Sequence, residues 1–145
     1  MKLTRASSYA LHAVAFMAQQ KTTDPVASHK IAKTRGIPER FLLKVLKPLV
    51  SARVLKSVKG PNGGYHLARP ASEISMLEIL EAVDGPIRGQ APFAEKSNPS
   101  LNGKLEDICN QSAEAVRKTL GKINITDLVG GRKDADEKPS RRKKG

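Results

Sequence analysis

Lys59 stands in the stretch VKGPNGGYHL, Val58–Leu67, among glycines and a proline of the kind that cradle phosphate in nucleotide-binding loops. Such a loop needs G-x-x-x-x-G-K-[ST], and no Lys-Ser or Lys-Thr follows these glycines; a dinucleotide fingerprint needs G-x-G-x-x-G opening a helix inside a strand-helix-strand unit. Neither pattern is present. The stretch reads instead as the tip of a hairpin whose strands run over about Val54–Lys59 and Gly64–Ala68. Lys56, Ser57 and Lys59 fall on its rising arm, where they suit a polyanion backbone. His12, His29 and His66 are scattered without metal-ligand spacing, and no Ser, His and acid set suggests a nucleophile. The expectation is therefore a binding protein and not an enzyme.

A second group that could do chemistry lies just upstream. In RGIPERFLLKVLKPLV, helical spacing gathers Leu42, Val45, Leu46 and Leu49 on one side and Arg40, Lys44, Lys47 and Ser51 on the other. Pro38 suits the first helical position, and Pro48 predicts a kink or break near Lys47, which favours Lys44 over Lys47 as a contact. Ahead of it, Ser28 is placed to cap a short helix through Thr34, ended by Gly36. Helix, tight glycine turn and helix form a helix-turn-helix outline, and the hairpin follows as a wing.

These elements need a core. Ala6, Tyr9, Ala10, Ala13, Val14 and Met17 form an apolar stripe over Thr4–Gln19, predicting a first helix. Ser75 with Glu78 makes a capping box for a helix closed by Gly85 and Pro86. A Pro-, Gly-, Ser- and Asn-rich loop then runs to Gly103. From Leu105 to about Ile123, Leu105, Ile108, Cys109, Ser112, Val116, Leu120 and Ile123 recur at helical spacing. The simplest way to bury that stripe is against the same helix of a second chain. The division expected is 1–85 winged helix-turn-helix, 86–104 flexible loop, 105–130 dimerisation helix and 131–145 disordered basic tail, a mainly α fold with a small β-hairpin.

Charge follows the same division. Residues 1–70 carry 13 Lys+Arg against 2 Asp+Glu, net +11, whereas residues 71–131 are net −3 and residues 132–145 net +4. Positive charge concentrated in one part of a chain points to a polyanion-binding module joined to something else. The single cysteine, Cys109, excludes an internal disulfide framework and reads as a small buried hydrophobe. With no apolar leader, and no run approaching the roughly 18 apolar residues of a membrane helix, a cytoplasmic location is expected.

Taken together, LTRASSYALHAV, IAKTRGIPERFLLKVLKPLVSARVLKSVKGPNGGYHLAR and ISMLEILEAVDGPI closely resemble the Rrf-two family of bacterial winged-helix transcription regulators, over about residues 1–88. The resemblance implies a homodimer on double-stranded DNA, each subunit placing a recognition helix in the major groove and a wing in the adjacent minor groove of a palindromic operator. By position it implies DNA contacts from Ser28, Arg40, Phe41, Lys44, Ser57, Lys59 and Asn62, to which the charge pattern adds Lys56. Sensory members hold an iron–sulfur cluster on three cysteines in the loop before the dimer helix. Here that loop leads only to Cys109, and Ser8 replaces the acidic ligand of some relatives, so no cofactor is expected. The implied function is transcriptional regulation, as a repressor without its own cluster. The alternative is a protein-interaction module, or a regulator controlled by a protein partner.

Overall fold

The apolar stripe of the first segment folds as helix α1, Arg5–Ala18, with Ala10, Ala13, Val14 and Met17 buried and Ala6 and Tyr9 packed at the margin. Thr4 caps it, accepting from the Ser7 N–H at 3.0 Å, while its hydroxyl donates to the Asp84 carboxylate at 3.0 Å. The computed structural model describes residues 1–130, so the basic tail expected over 131–145 lies outside the described residues. After α1 come α2 (Ser28–Arg35), α3 (Glu39–Ser51), β1 (Leu55–Val58), β2 (Gly64–Leu67), a 3₁₀ turn (Ala71–Glu73), α4 (Met76–Asp84), α5 (Pro99–Gly121) and α6 (Ile125–Val129). Among the described residues the chain is mainly helical with one antiparallel hairpin, as its patterning predicts.

One core joins α1 to α3, α4 and the hairpin base. Val14, Ile31, Leu42, Leu46, Leu49, Val54, Ile74, Ile79 and Ile125 are sealed from solvent within it. The Ser75 and Glu78 capping box forms as expected, and Gly36 takes the left-handed conformation, φ 68° and ψ 34°, that lets α2 stop and turn directly into α3.

Four local expectations are corrected. Ser28 does not cap α2: the capping position is Ala27, without a side-chain hydrogen bond, and Ser28 is the first helical residue. Tertiary pairing decides this, because Val26 exchanges backbone hydrogen bonds with Tyr65 at 2.8 and 2.9 Å and holds the chain extended up to Ala27. Pro38 likewise precedes α3 at the capping position instead of opening it. Nor does Pro48 break α3, which runs on to Ser51: only one hydrogen bond is lost, and burial of Leu46 and Leu49 on either side holds the last turns in place. Finally, the long helix starts at Pro99, six residues before Leu105, because Asn98 accepts from the Leu101 N–H at 3.2 Å and proline is well suited to a first turn.

The hairpin pairs Leu55 with Leu67, Lys56 with His66, Ser57 with Tyr65 and Val58 with Gly64. Its tip closes through Gly63 N–H to Gly60 carbonyl at 2.9 Å, with Pro61 and Asn62 at the centre. Gly64 is required: a Cβ there would lie 2.3 Å from the Val26 carbonyl oxygen. The last described residues return to the same body. Met76 N–H donates to the Ile123 carbonyl at 2.7 Å and Ile125 N–H to the Ile74 carbonyl at 3.0 Å, which seats the buried Ile125 in the core.

Candidate nucleic-acid interface

Helix α3 has two unlike faces. Leu42, Val45, Leu46 and Leu49 are 0–5% exposed, while Arg40, Lys44 and Lys47 stand in solvent. An apolar stripe thus fixes the helix in the body and leaves a cationic one outward. The Arg40 guanidinium lies 5.3 Å from the centre of the exposed Phe41 ring and the Lys44 ammonium 5.7 Å from it, so the ring steadies both cations. At the start of the helix, the Ser28 hydroxyl donates to the Glu39 carboxylate at 2.9 Å, tying the first turn of α2 to that of α3. Glu39 is the only acid on α3, and its place in the first turn favours the helix dipole.

On the hairpin, Lys56, Ser57, Lys59 and Asn62 are all exposed. Lys56 and Ser57 point to opposite faces of the strand, and both border a cleft of about 520 Å³ with Val50, Arg53 and Arg69 where the hairpin meets α3. Asn62 borders another cleft, of about 530 Å³, with Asp24, Pro25 and Ala27, which sets the tip beside the entry to α2. The expected residues therefore fall into two clusters, one along α3 with Ser28 and one along the hairpin.

Patterning alone overlooked Arg69. Its guanidinium pairs with the Glu78 carboxylate and donates to the Glu73 carbonyl at 2.8 Å and, through Nε, to the Arg53 carbonyl at 3.2 Å. One side chain thus joins the hairpin exit, the α3–β1 corner and α4. Burial alone would raise the Glu78 pKa. Hydrogen bonds from Arg69 and from the Ser75 N–H, with the Arg69 charge, outweigh it and hold that carboxyl below its ordinary value. Nor does patterning single out Arg53, the one non-glycine residue with positive φ, 62°, among the described residues. Neither has a local sequence signal, since both depend on contacts made across the fold.

The family model for Rrf2, described as an iron-dependent transcriptional regulator, matches residues 3–131. The chain belongs to the Rrf2 family. It is 30% identical over 135 residues to the HTH-type transcriptional regulator IscR of Cereibacter sphaeroides, covering 89% of this chain and 87% of that one. Among solved structures, T. potens IscR is 26% identical with a TM-score of 0.65, covering 97% of this chain and 93% of that one. CymR, the global cysteine regulator of B. subtilis, shares the fold with a TM-score of 0.73 at 24% identity, over 90% of this chain and 98% of that one. These relatives are transcriptional regulators, not enzymes, and this Rrf2 chain has their winged-helix architecture.

The iron in the family description can be tested against the donors present. Cysteine-ligated iron–sulfur clusters need several thiolates held together. This Rrf2 chain has Cys109 alone, on α5, and among the described residues no three His, Cys, Asp or Glu side chains gather as a metal site. The residues do not fit such a cluster. Cys109 is half-buried, less enclosed than expected, with the Gly89 backbone pressed against Cys109 and Asn110. Along the same helix Leu101, Leu105 and Ile108 are 44%, 43% and 59% exposed, and only Leu120 is buried. Among the described residues no helix is long and apolar enough to cross a membrane.

Proposed function

We propose that this Rrf2 protein is a sequence-specific transcriptional repressor that acts as a homodimer on a palindromic operator, without an iron–sulfur cluster of its own. The observation that carries the reading is the division of α3, whose apolar side is wholly committed to the core while Arg40, Lys44 and Lys47 remain free in solvent. Such a helix offers a ligand a cationic stripe flanked by the exposed side chains of Phe41 and Leu43, which suits the phosphates and base edges of a DNA groove. Residues 1–85 serve as the DNA-binding unit. The exposed stripe of α5 supports its role as the dimerisation helix, because burying it against a second copy removes that apolar surface from water.

Within this reading Arg40 is the base reader, since its fork can grip a guanine edge in two hydrogen bonds. Lys44, Lys56 and Lys59 hold phosphates, and Ser28, Phe41, Ser57 and Asn62 complete the contact surface. Binding displaces condensed counterions, so affinity falls steeply with salt.

The test selects bound fragments from a random duplex pool and titrates the winner at several salt concentrations against a competing polyanion. A specific complex of two chains per palindrome, resistant to the competitor, is expected. Loss to any polyanion, or preference for an acidic protein over every duplex, would overturn the reading.

A further inference from the structure

Leu43 stands 43% exposed on α3, on the side that the core does not use. By helical spacing it follows Arg40 by three residues and precedes Lys47 by four, so it borders the cationic stripe. Two turns further along the same side lies Val50, which borders the cleft shared with Lys56 and Ser57 at the hairpin base. Leu43 thus occupies the flank of α3 that faces the wing, whereas Phe41 takes the opposite flank beneath Arg40 and Lys44.

An isolated surface leucine needs no explanation by itself. This one stands apart on a largely cationic surface, because the ring of Phe41, the other exposed large apolar group of α3, lies against Arg40 and Lys44. A lysine or glutamine there would add a phosphate or base contact, while leucine rewards only an apolar group on the ligand. The major groove presents one such group on its base edges, the C5 methyl of thymine.

We infer that Leu43 is a specificity-determining residue that packs against a thymine methyl in each half-site, beside the base read by Arg40. The inference rests on the DNA-binding reading above and adds to it a base identity and the atom recognised.

The experiment uses the full chain and the duplex it selects from a random pool, with each thymine in turn replaced by deoxyuridine, which removes only the methyl group. At one thymine in each half-site the native protein should lose about fourfold in affinity, the worth of one buried methyl. Leu43→Ala should bind the unmodified duplex more weakly by at least that factor and lose nothing further on the deoxyuridine duplex, with its salt dependence and melting temperature unchanged. Leu43→Met, which keeps an apolar side chain, should retain the discrimination. Indifference of the native protein to every deoxyuridine, or equal discrimination by native and Leu43→Ala proteins, would overturn the inference while leaving DNA binding intact. If no duplex is selected at all, the DNA-binding reading fails as well, so the two failures are distinguishable.

Discussion

Helices α3 and α5 are both amphipathic, yet α3 hides its apolar stripe and α5 displays much of its own. On α3 the stripe of Leu42, Val45, Leu46 and Leu49 is enclosed by α1, α2 and α4. On α5 the anchoring to α4 lies at one end, where Leu120 is buried and Arg117 pairs with Glu81. Further along, the preceding loop touches it through Gly89 at Cys109 and Asn110 and through Glu95 at Asn102, while Leu101, Leu105 and Ile108 stay in solvent. The difference separates two kinds of surface. What α3 leaves outward is mainly cationic, with Phe41 and Leu43 at its margins, and fits a charged ligand, whereas the stripe that α5 leaves outward is greasy and fits a like surface.

Equivalent truncations should split these helices most sharply. Leu42→Ala removes side-chain volume from a fully buried site and is expected to cost about 2–5 kcal/mol of unfolding free energy, read from urea denaturation. Leu105→Ala combined with Ile108→Ala should barely move the unfolding of the isolated subunit but shift sedimentation toward the monomer. Equal destabilisation by the two changes in a monomeric sample would show that α5 packs on its own body.

Next in size is a contrast within the basic surface. Arg40→Ala should relax base preference at one position of each half-site by about 1–3 kcal/mol. Lys59→Ala should instead weaken all duplexes alike and reduce the salt slope by about one. Equal losses across every operator variant for Arg40 would move that residue into the phosphate-binding class and leave α3 without its base reader.

How much of this was legible in the sequence follows from the range of each interaction. The α1 stripe, the Gly36 turn, the Ser75–Glu78 box and the α3 faces are set by residues within a few positions of one another, and all four stand in the structure. The placement of Ser28 was not legible, because it hangs on the pairing of Val26 with Tyr65 far along the chain. The start of α5 was obscured by Pro99, Asn102 and Gly103, which suggest a loop by type, although Asn98 and Pro99 are also the residues that open a helix. Of the candidate site, the cations of α3 and the hairpin could be read from charge and period. Leu43, Arg53 and Arg69 gain their meaning only from exposure, dihedral angle and long-range bonds, which a one-dimensional pattern does not carry.

The clamp behind the α3–hairpin cluster gives a pH-dependent test. The Glu78 pKa lies below its reference value of 4.5 in the folded chain, so the carboxylate stabilises the fold above that range and the contribution is lost as pH falls through the folded value. Glu78→Gln should therefore lower the urea midpoint at neutral pH, with the gap to the native protein closing in acid. A gap that stays constant down the acid range would mean that the Arg69 pairing adds nothing through charge. The effect should be smaller than that of Leu42→Ala, because the pair is partly open to solvent.

The finest contrast uses glycine in opposite senses. Arg53 holds φ 62° at the corner after α3, a conformation that costs an L side chain roughly 1–2 kcal/mol and glycine nothing. Part of that gain is offset by the greater freedom of glycine in the unfolded chain, so Arg53→Gly should stabilise the body by about 0.5–1 kcal/mol. Gly103 is the mirror case: it lies inside α5, away from the apolar stripe by helical spacing, with open space where a Cβ would go. Gly103→Ala should favour the helix by about 1 kcal/mol. The body of the protein should feel only the first change, as a higher melting temperature. The second should slow amide exchange around residue 103 and leave the melting temperature of a monomeric sample where it was, because the core anchors of α5, Leu120 and the Arg117–Glu81 pair, lie at its far end. If Gly103→Ala raised that melting temperature as much as Arg53→Gly does, the outer half of α5 would unfold together with the core, and the contrast between a fixed α3 and a displayed α5 would have to be abandoned.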